Sequence, residues 1–226
     1  MIALLALLIV APPGAHEERR QTELLDFRYG WPAAAEAIPA LRRELARREL
    51  EAQADATASA AESHDSAGGA QVPFHTEQYH AIWSVEANSA RLLSLTADIR
   101  TDNNGAHPNR DFDSLIWDRG AGRATTVAAV LGNAALGAMS ERYCTALAAS
   151  VAARDAEPPE PCPPLAERVL AFADRDHDGR FDALHVLVAP YVAASYADGS
   201  FVVDVPFEAA DLSGLAARYR SAFESR

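Results

Sequence analysis

The chain has 226 residues, 49% hydrophobic and 23% charged, enough apolar material for one large domain or two packed smaller ones. A formal net charge of −12 argues against nucleic acid and anionic membrane as partners, since both attract basic patches. All 20 basic residues are arginine, which excludes lysine-dependent catalysis.

Residues 1–11 are almost wholly apolar and are followed by Pro12, Pro13, Gly14 and Ala15. The run is shorter than the roughly 20 residues a membrane-spanning helix needs. It reads as a secretory signal over residues 1–15, cleaved near Ala11 or Ala15, or else as a buried N-terminal strand. No cysteine follows the run, which argues against a bacterial lipid anchor. The expected location is periplasmic or secreted, with no transmembrane span in the mature chain.

Residues 26–31 alternate apolar and polar and predict a first strand. Pro39 opens a helix expected to run to about Ser63. Leu41, Leu45, Ala52 and Ala56 form one stripe, and Glu44/Arg48 and Arg47/Glu51 lie four apart. The Ala/Ser/Gly-rich stretch 54–69 predicts a frayed end. Strands follow at 79–86, 91–98 and 111–118, joined by turns at Asn88-Ser89 and, after the last, at Gly120–Gly122. Short turns predict an antiparallel meander. Residues 126–155 form one or two helices, with Val127, Val130, Leu131, Leu136, Met139, Tyr143, Leu147 and Val151 at helical spacing. Strands at 169–172, 181–189 and 201–205 and a helix over 212–223 close the chain. The class is α+β: antiparallel sheets covered by helices, in two intimately packed halves, 26–132 and 133–226.

Cys144 and Cys162 are the only cysteines. In an exported chain an isolated pair reads as a disulfide; the alternative is two buried thiols. A bridge here would tie the second helical region to the Pro-rich segment 157–164. No spacing supports zinc or thioredoxin chemistry.

The segment Asp174–Asp182 places Asp174, Asp176 and Asp178 at the first, third and fifth positions of a calcium loop, with Gly179 at the bend. The Arg180 carbonyl and Asp182 would be the next ligands. His185 stands where a bidentate glutamate belongs, and a strand follows instead of a helix, so this is no EF-hand and any Ca²⁺ site is weak. The alternative is a polar hairpin whose carboxylates are solvated or paired with Arg175 and Arg180.

A second constellation is Asn103–Asn109. Asn104-Gly105 signals a tight turn, and Pro108 holds His107 extended. His107 is either a loop-holding residue or, with Asp102, Asp111 or Asp113, part of a metal-assisted hydrolase site. No HExxH, GxSxG or phosphate-cradling glycine loop occurs.

Asn104-Gly-Ala-His-Pro-Asn109 followed by Ser114-Leu-Ile-Trp117-Asp118-Arg-Gly-Ala-Gly122 resembles a motif of one envelope-module family. That module is C-terminal in the anti-sigma factor RsiV and accompanies the catalytic domain of the deacetylase PdaC. Ala173–Asp182, Ala189-Pro-Tyr-Val-Ala193, Tyr196-Ala-Asp-Gly-Ser200 and Tyr219-Arg-Ser-Ala-Phe223 resemble its proteobacterial branch. The similarity spans about residues 26–223, leaving no separate catalytic domain, and the zinc motifs of the deacetylase are absent. Asn104 replaces the first glycine of the usual pair, and Ala194-Ser195 stands where Gly-Pro is common. The resemblance implies a two-part α+β module outside the cytoplasmic membrane. It implies a non-catalytic binding or sensing role toward a cell-wall component or a wall-acting protein such as lysozyme, a basic partner for an acidic surface. Asn104, Gly105, His107, Pro108 and Trp117 are then the structural or ligand-facing loop. The alternative function is the metal-assisted hydrolase, acting on cell-wall glycan.

Overall fold

The computed structural model describes residues 14–70 and 73–225. Most of the expected export signal therefore lies outside the described residues. Two sheets and their helices make up the fold, in the expected α+β class. The first sheet has the strand order β1-β2-β3-β4-β5-β6: β1 His16–Gln21, β2 Leu25–Trp31, β3 Glu77–Asn88, β4 Leu92–Asp102, β5 Asn109–Asp118 and β6 Arg123–Thr125. Between β2 and β3 come the short α1, Ala33–Glu36, and the long α2, Pro39–Ala70. The second sheet is β7 Val169–Ala173, β8 Ala183–Val188 and β9 Phe201–Pro206, in that order. Helices α3, Val127–Leu131, and α4, Asn133–Ala152, precede it; α5, Ala209–Leu212, follows it.

The β3-β4-β5 meander pairs antiparallel as its turns require, but β2 pairs parallel with β3. A parallel pair needs a long crossover, and α2 supplies it. Alternation along β2 puts Phe27, Tyr29 and Trp31 on one face. Trp83 of β3, Leu93 and Leu95 of β4 and Leu115 and Trp117 of β5 join them under Leu41 and Leu45 of α2. The helix does not fray at residue 54: it continues to Ala70, with Ala56, Ala60 and Ala67 buried. Alanine packs close to its support while adding little to a hydrophobic stripe, which is why the pattern faded before the helix did.

The second core lies among α3, α4, the three-stranded sheet and the C-terminal segment. Tyr143, Met139, Leu147 and Val151 of α4 meet Phe172, Phe181, Phe201 and Phe207 there. Leu92 and Ile116 of the first sheet also enter this core, and the Ser94 hydroxyl accepts a bond from the Phe172 amide. The two sheets thus share packing across the far face of the first. Cys144 on α4 is disulfide-bonded to Cys162, with Cα atoms 5.9 Å apart. The single closing helix expected over 212–223 is instead α5, a turn and a short 3-10 segment, Arg220–Ala222. Phe181 bridges to Phe223 and holds that end in place. Among the described residues no helix is long and apolar enough to cross a membrane.

Candidate functional site

Two of the predicted constellations become defined structures, and each recruits residues from far along the chain. The acidic turn joins β7 to β8. The Asp174 carboxylate accepts the Asp178 amide at 3.2 Å and the Gly179 amide at 2.9 Å, and Asp178 Oδ1 accepts the Arg180 amide at 2.8 Å. His177 (φ 61°) and Gly179 (φ 89°) take left-handed conformations that bend the backbone inward. Carboxylate oxygens of Asp174, Asp176 and Asp178 lie within 4.8 Å of one another.

Asp182 is not in that group. It is fully buried and accepts from the Arg175 amide at 3.1 Å and the Arg175 Nε at 3.3 Å. Its carboxylate instead forms a second close set with Asp176 and Glu224. The Arg180 guanidinium turns to Glu224 at 3.0 Å and to the Phe223 carbonyl. The five-residue ligand set thus resolves into three clustered aspartates and a neighbouring acid group bound by arginines. Glu224 had no local sequence signal; the Phe181–Phe223 bridge delivers it from 42 residues beyond Asp182. Oxygen clusters of this kind suit hard cations.

The second constellation sits at the junction of the halves. His107, in the β4–β5 loop, stacks on Tyr196 with ring centres 3.8 Å apart. Its Nε2 lies 2.9 Å from the Tyr191 hydroxyl and its Nδ1 2.9 Å from the Pro108 carbonyl. The Tyr196 hydroxyl donates to that same carbonyl. Both tyrosines belong to the β8–β9 connection of the other half. Ser195 caps the turn that carries Tyr196, exchanging bonds with Asp198. Nearby, Arg110 forms a two-pronged pair with Asp98, at 3.1 and 2.8 Å, and reaches Ser200 at 3.0 Å. Tyr191 stands 64% exposed and has φ 68°. A bulky residue in the left-handed region is costly and persists only where surrounding contacts hold it.

The other loop residues divide by role. Asn104 has φ 60°, and its side chain both accepts from and donates to the His75 backbone. Gly105 continues this turn. Trp117 is buried in the first core and presents no surface to a ligand. Beside it, Asp118 is 3% exposed and accepts from Arg91, the Gly120 and Ala121 amides and the Tyr219 hydroxyl, the last at 2.8 Å. Burial alone would raise the Asp118 carboxyl, but the bonds from Ala121, Tyr219 and Arg91 outweigh it and hold it below the ordinary range.

The carboxylates named for hydrolysis do not meet His107. Asp102 lies 3.0 Å from His75, Asp113 pairs with Arg48 at 2.8 Å, and Asp111 accepts the Phe112 amide. Neither cation-competent acid group among the described residues includes His107.

No family model and no curated protein matches the chain. Solved structures do. A DUF3298 family protein from Pseudomonas aeruginosa PAO1 superposes with TM-score 0.60 at 14% identity, covering 95% of this chain and 98% of its own. A DUF3298 family member from Bacteroides fragilis NCTC 9343 superposes with TM-score 0.52 at 13% identity, over 91% of this chain and 94% of its own. The fold of this chain is thus shared, over nearly its whole length, with solved DUF3298 proteins.

Proposed function

We propose that this chain is an exported, non-catalytic binding or sensing module of the bacterial envelope, built like the modules of RsiV and PdaC. Its recognition surface is the junction where His107, Tyr191 and Tyr196 meet. One observation carries this reading: Tyr191 is an exposed aromatic in a costly left-handed conformation, braced by a histidine from the other half. Strain of that kind holds a contact residue ready for a partner. The apolar N-terminal run, the disulfide and the net charge of −12 support an extracytoplasmic setting and a cell-wall component or basic wall-acting protein as ligand. Immobilised wild-type chain should retain purified peptidoglycan sacculi or lysozyme at moderate salt, and Tyr191→Ala should lose most of that retention without losing its fold. Equal retention by the variant, or none by the wild type, would refute the assignment.

Within the same reading the acidic turn is a weak Ca²⁺ site. Three carboxylates within 4.8 Å repel one another, and a cation relieves that repulsion. Millimolar Ca²⁺ should raise the melting temperature, since a ligand of the native state stabilises it, with a Kd on the order of 10⁻⁴ to 10⁻³ M. Asp176→Asn should abolish the shift. A flat calorimetric response in the wild type would leave only a hairpin held by its amides and arginines.

A further inference from the structure

Two adjoining cavities open on the face of the first sheet that α2 covers. One, of about 230 Å³, is lined by Asp55, Ser59, Glu77, Tyr79, Thr101 and Asn103 among others. The next, of about 330 Å³, is walled by Arg47, Arg48, Glu51 and Asp113. Asp55 and Tyr79 belong to both, so the two form one groove. Small side chains make the hollow. Ala97 stands between Trp83 and Asp113 across three strands, and Ala81 lies opposite Ile99, so at these two positions β3 and β4 present only methyl groups to the space.

The chemistry of the groove turns on Glu77. It is 3% exposed, yet among the described residues its carboxylate accepts hydrogen bonds only from Ser59 Oγ and Asn104 Nδ2, both at 3.5 Å. Both donors are neutral and both sit at the outer limit of hydrogen bonding. No ion pair reaches it from the described residues. An ionised carboxylate accepts up to about four bonds, and burying one without a charged partner is expensive. Asp55, on the opposite wall, makes no hydrogen bond or ion pair with the described residues. The Tyr79 ring is backed by Phe27 at 5.6 Å, while its hydroxyl bonds to none of the described residues. Burial first, and then the charges of Asp113, Asp55 and Asp111, raise the Tyr79 phenol, which keeps it a donor.

We propose that this groove binds a glycan unit carrying a free primary amine. Its ammonium sits in the cavity that Glu77 and Asp55 line, and its pyranose ring lies against Tyr79. The buried carboxylate selects the positive charge. The aromatic ring, with Ser59, Thr101 and Asn103, offers the apolar face and the polar partners that a hydroxylated ring requires. The second cavity adjoins the first through Asp55 and Tyr79 and would take the next ring of a linear strand, with Arg48 and Asp113 in its polar wall. The site rests on the proposed role in wall recognition and specifies which chemical form of the wall it takes.

The test is calorimetric titration of the full disulfide-bonded chain, in mildly acidic buffer, with three probes. These are a β-1,4-linked glucosamine tetrasaccharide, its fully N-acetylated counterpart and 1,5-diaminopentane. The glucosamine tetramer should bind at least about tenfold more tightly than either of the others, a difference of about 1.4 kcal/mol. Glu77→Gln should erase the preference for the free amine over the acetylated form while melting at an equal or higher temperature. Tyr79→Phe, which removes one hydroxyl from a folded chain, should weaken the tetramer and spare 1,5-diaminopentane. Equal affinity for both tetramers, equal affinity for the simple diamine, or a Glu77→Gln variant that binds like the wild type would each overturn the proposal. Sacculus retention distinguishes it from the junction surface: retention without tetramer binding removes this site alone, and tetramer binding without retention of sacculi or lysozyme removes the broader role alone.

Discussion

His185 of β8 faces Asp204 of β9, with Nδ1 2.6 Å from the carboxylate, and its Nε2 lies 3.6 Å from Glu86 of β3. Burial lowers the imidazolium, but the hydrogen bond it donates to Asp204 and the charges of Glu86 and Asp204 outweigh it, so the pKa is raised above the ordinary histidine value. A raised folded value means that protonation stabilises the native state. That contribution is complete below the ordinary histidine value and is lost as pH rises through the folded one. The melting temperature of the wild type relative to His185→Gln should therefore be higher in mildly acidic than in mildly alkaline buffer. A difference that does not change with pH would contradict the charged pair. In the sequence, His185 was visible only as the wrong residue for a calcium ligand; its partners come from a neighbouring strand and from the other sheet, which no local pattern announces. The same distance hid the tyrosines of His107, which lie 84 and 89 positions further on.

The disulfide between α4 and the Pro-rich segment is an element-scale device, because it closes a span of 18 residues that carries no sheet or helix bonds of its own beyond the end of α4. Loop-closure entropy assigns it about 3 kcal/mol. The double variant Cys144→Ser, Cys162→Ser should melt about 6–12 °C lower by calorimetry. An unchanged melting temperature would mean that packing alone orders the segment. Elements with strong alternation and sharp turns were legible from the sequence, namely β3, β4 and β5 and then β7, β8 and β9, with boundaries within a few residues of those observed. The helix pair after Thr126 was legible through its apolar spacing. What escaped was each element held by something other than apolar pattern. Strand β1 reads HEERRQ and shows no alternation, so it is placed by its pairing with β2. The parallel register of β2 and β3 depends on a crossover by α2, which strand spacing alone cannot reveal.

At the scale of the molecule the two sheets are joined by bonds between distant motifs. Asp118 meets Tyr219, Ser94 holds the Phe172 amide, and Arg110 reaches Ser200. The buried Asp118–Tyr219 bond is to a charged acceptor and is worth about 1.5–3 kcal/mol. Tyr219→Phe should lower the free energy of urea unfolding by that amount while near-UV and far-UV signals still move together. Separate transitions would show that the halves unfold independently. Strand β1 has a further consequence, for association between chains. It is the outermost strand of the first sheet, and it presents Glu17, Glu18, Arg19 and Arg20 beside the aromatic strand β2. Charged edges are poor templates for a foreign strand, whereas the edge beneath carries Phe27, Tyr29 and Trp31. Proteolysis removing residues up to Gln21 would uncover that edge, and light scattering should then show the trimmed chain self-associating where the intact one stays dispersed. The most polar strand of the fold thereby acts as a guard against fibre growth, and the site of N-terminal trimming becomes a determinant of solubility.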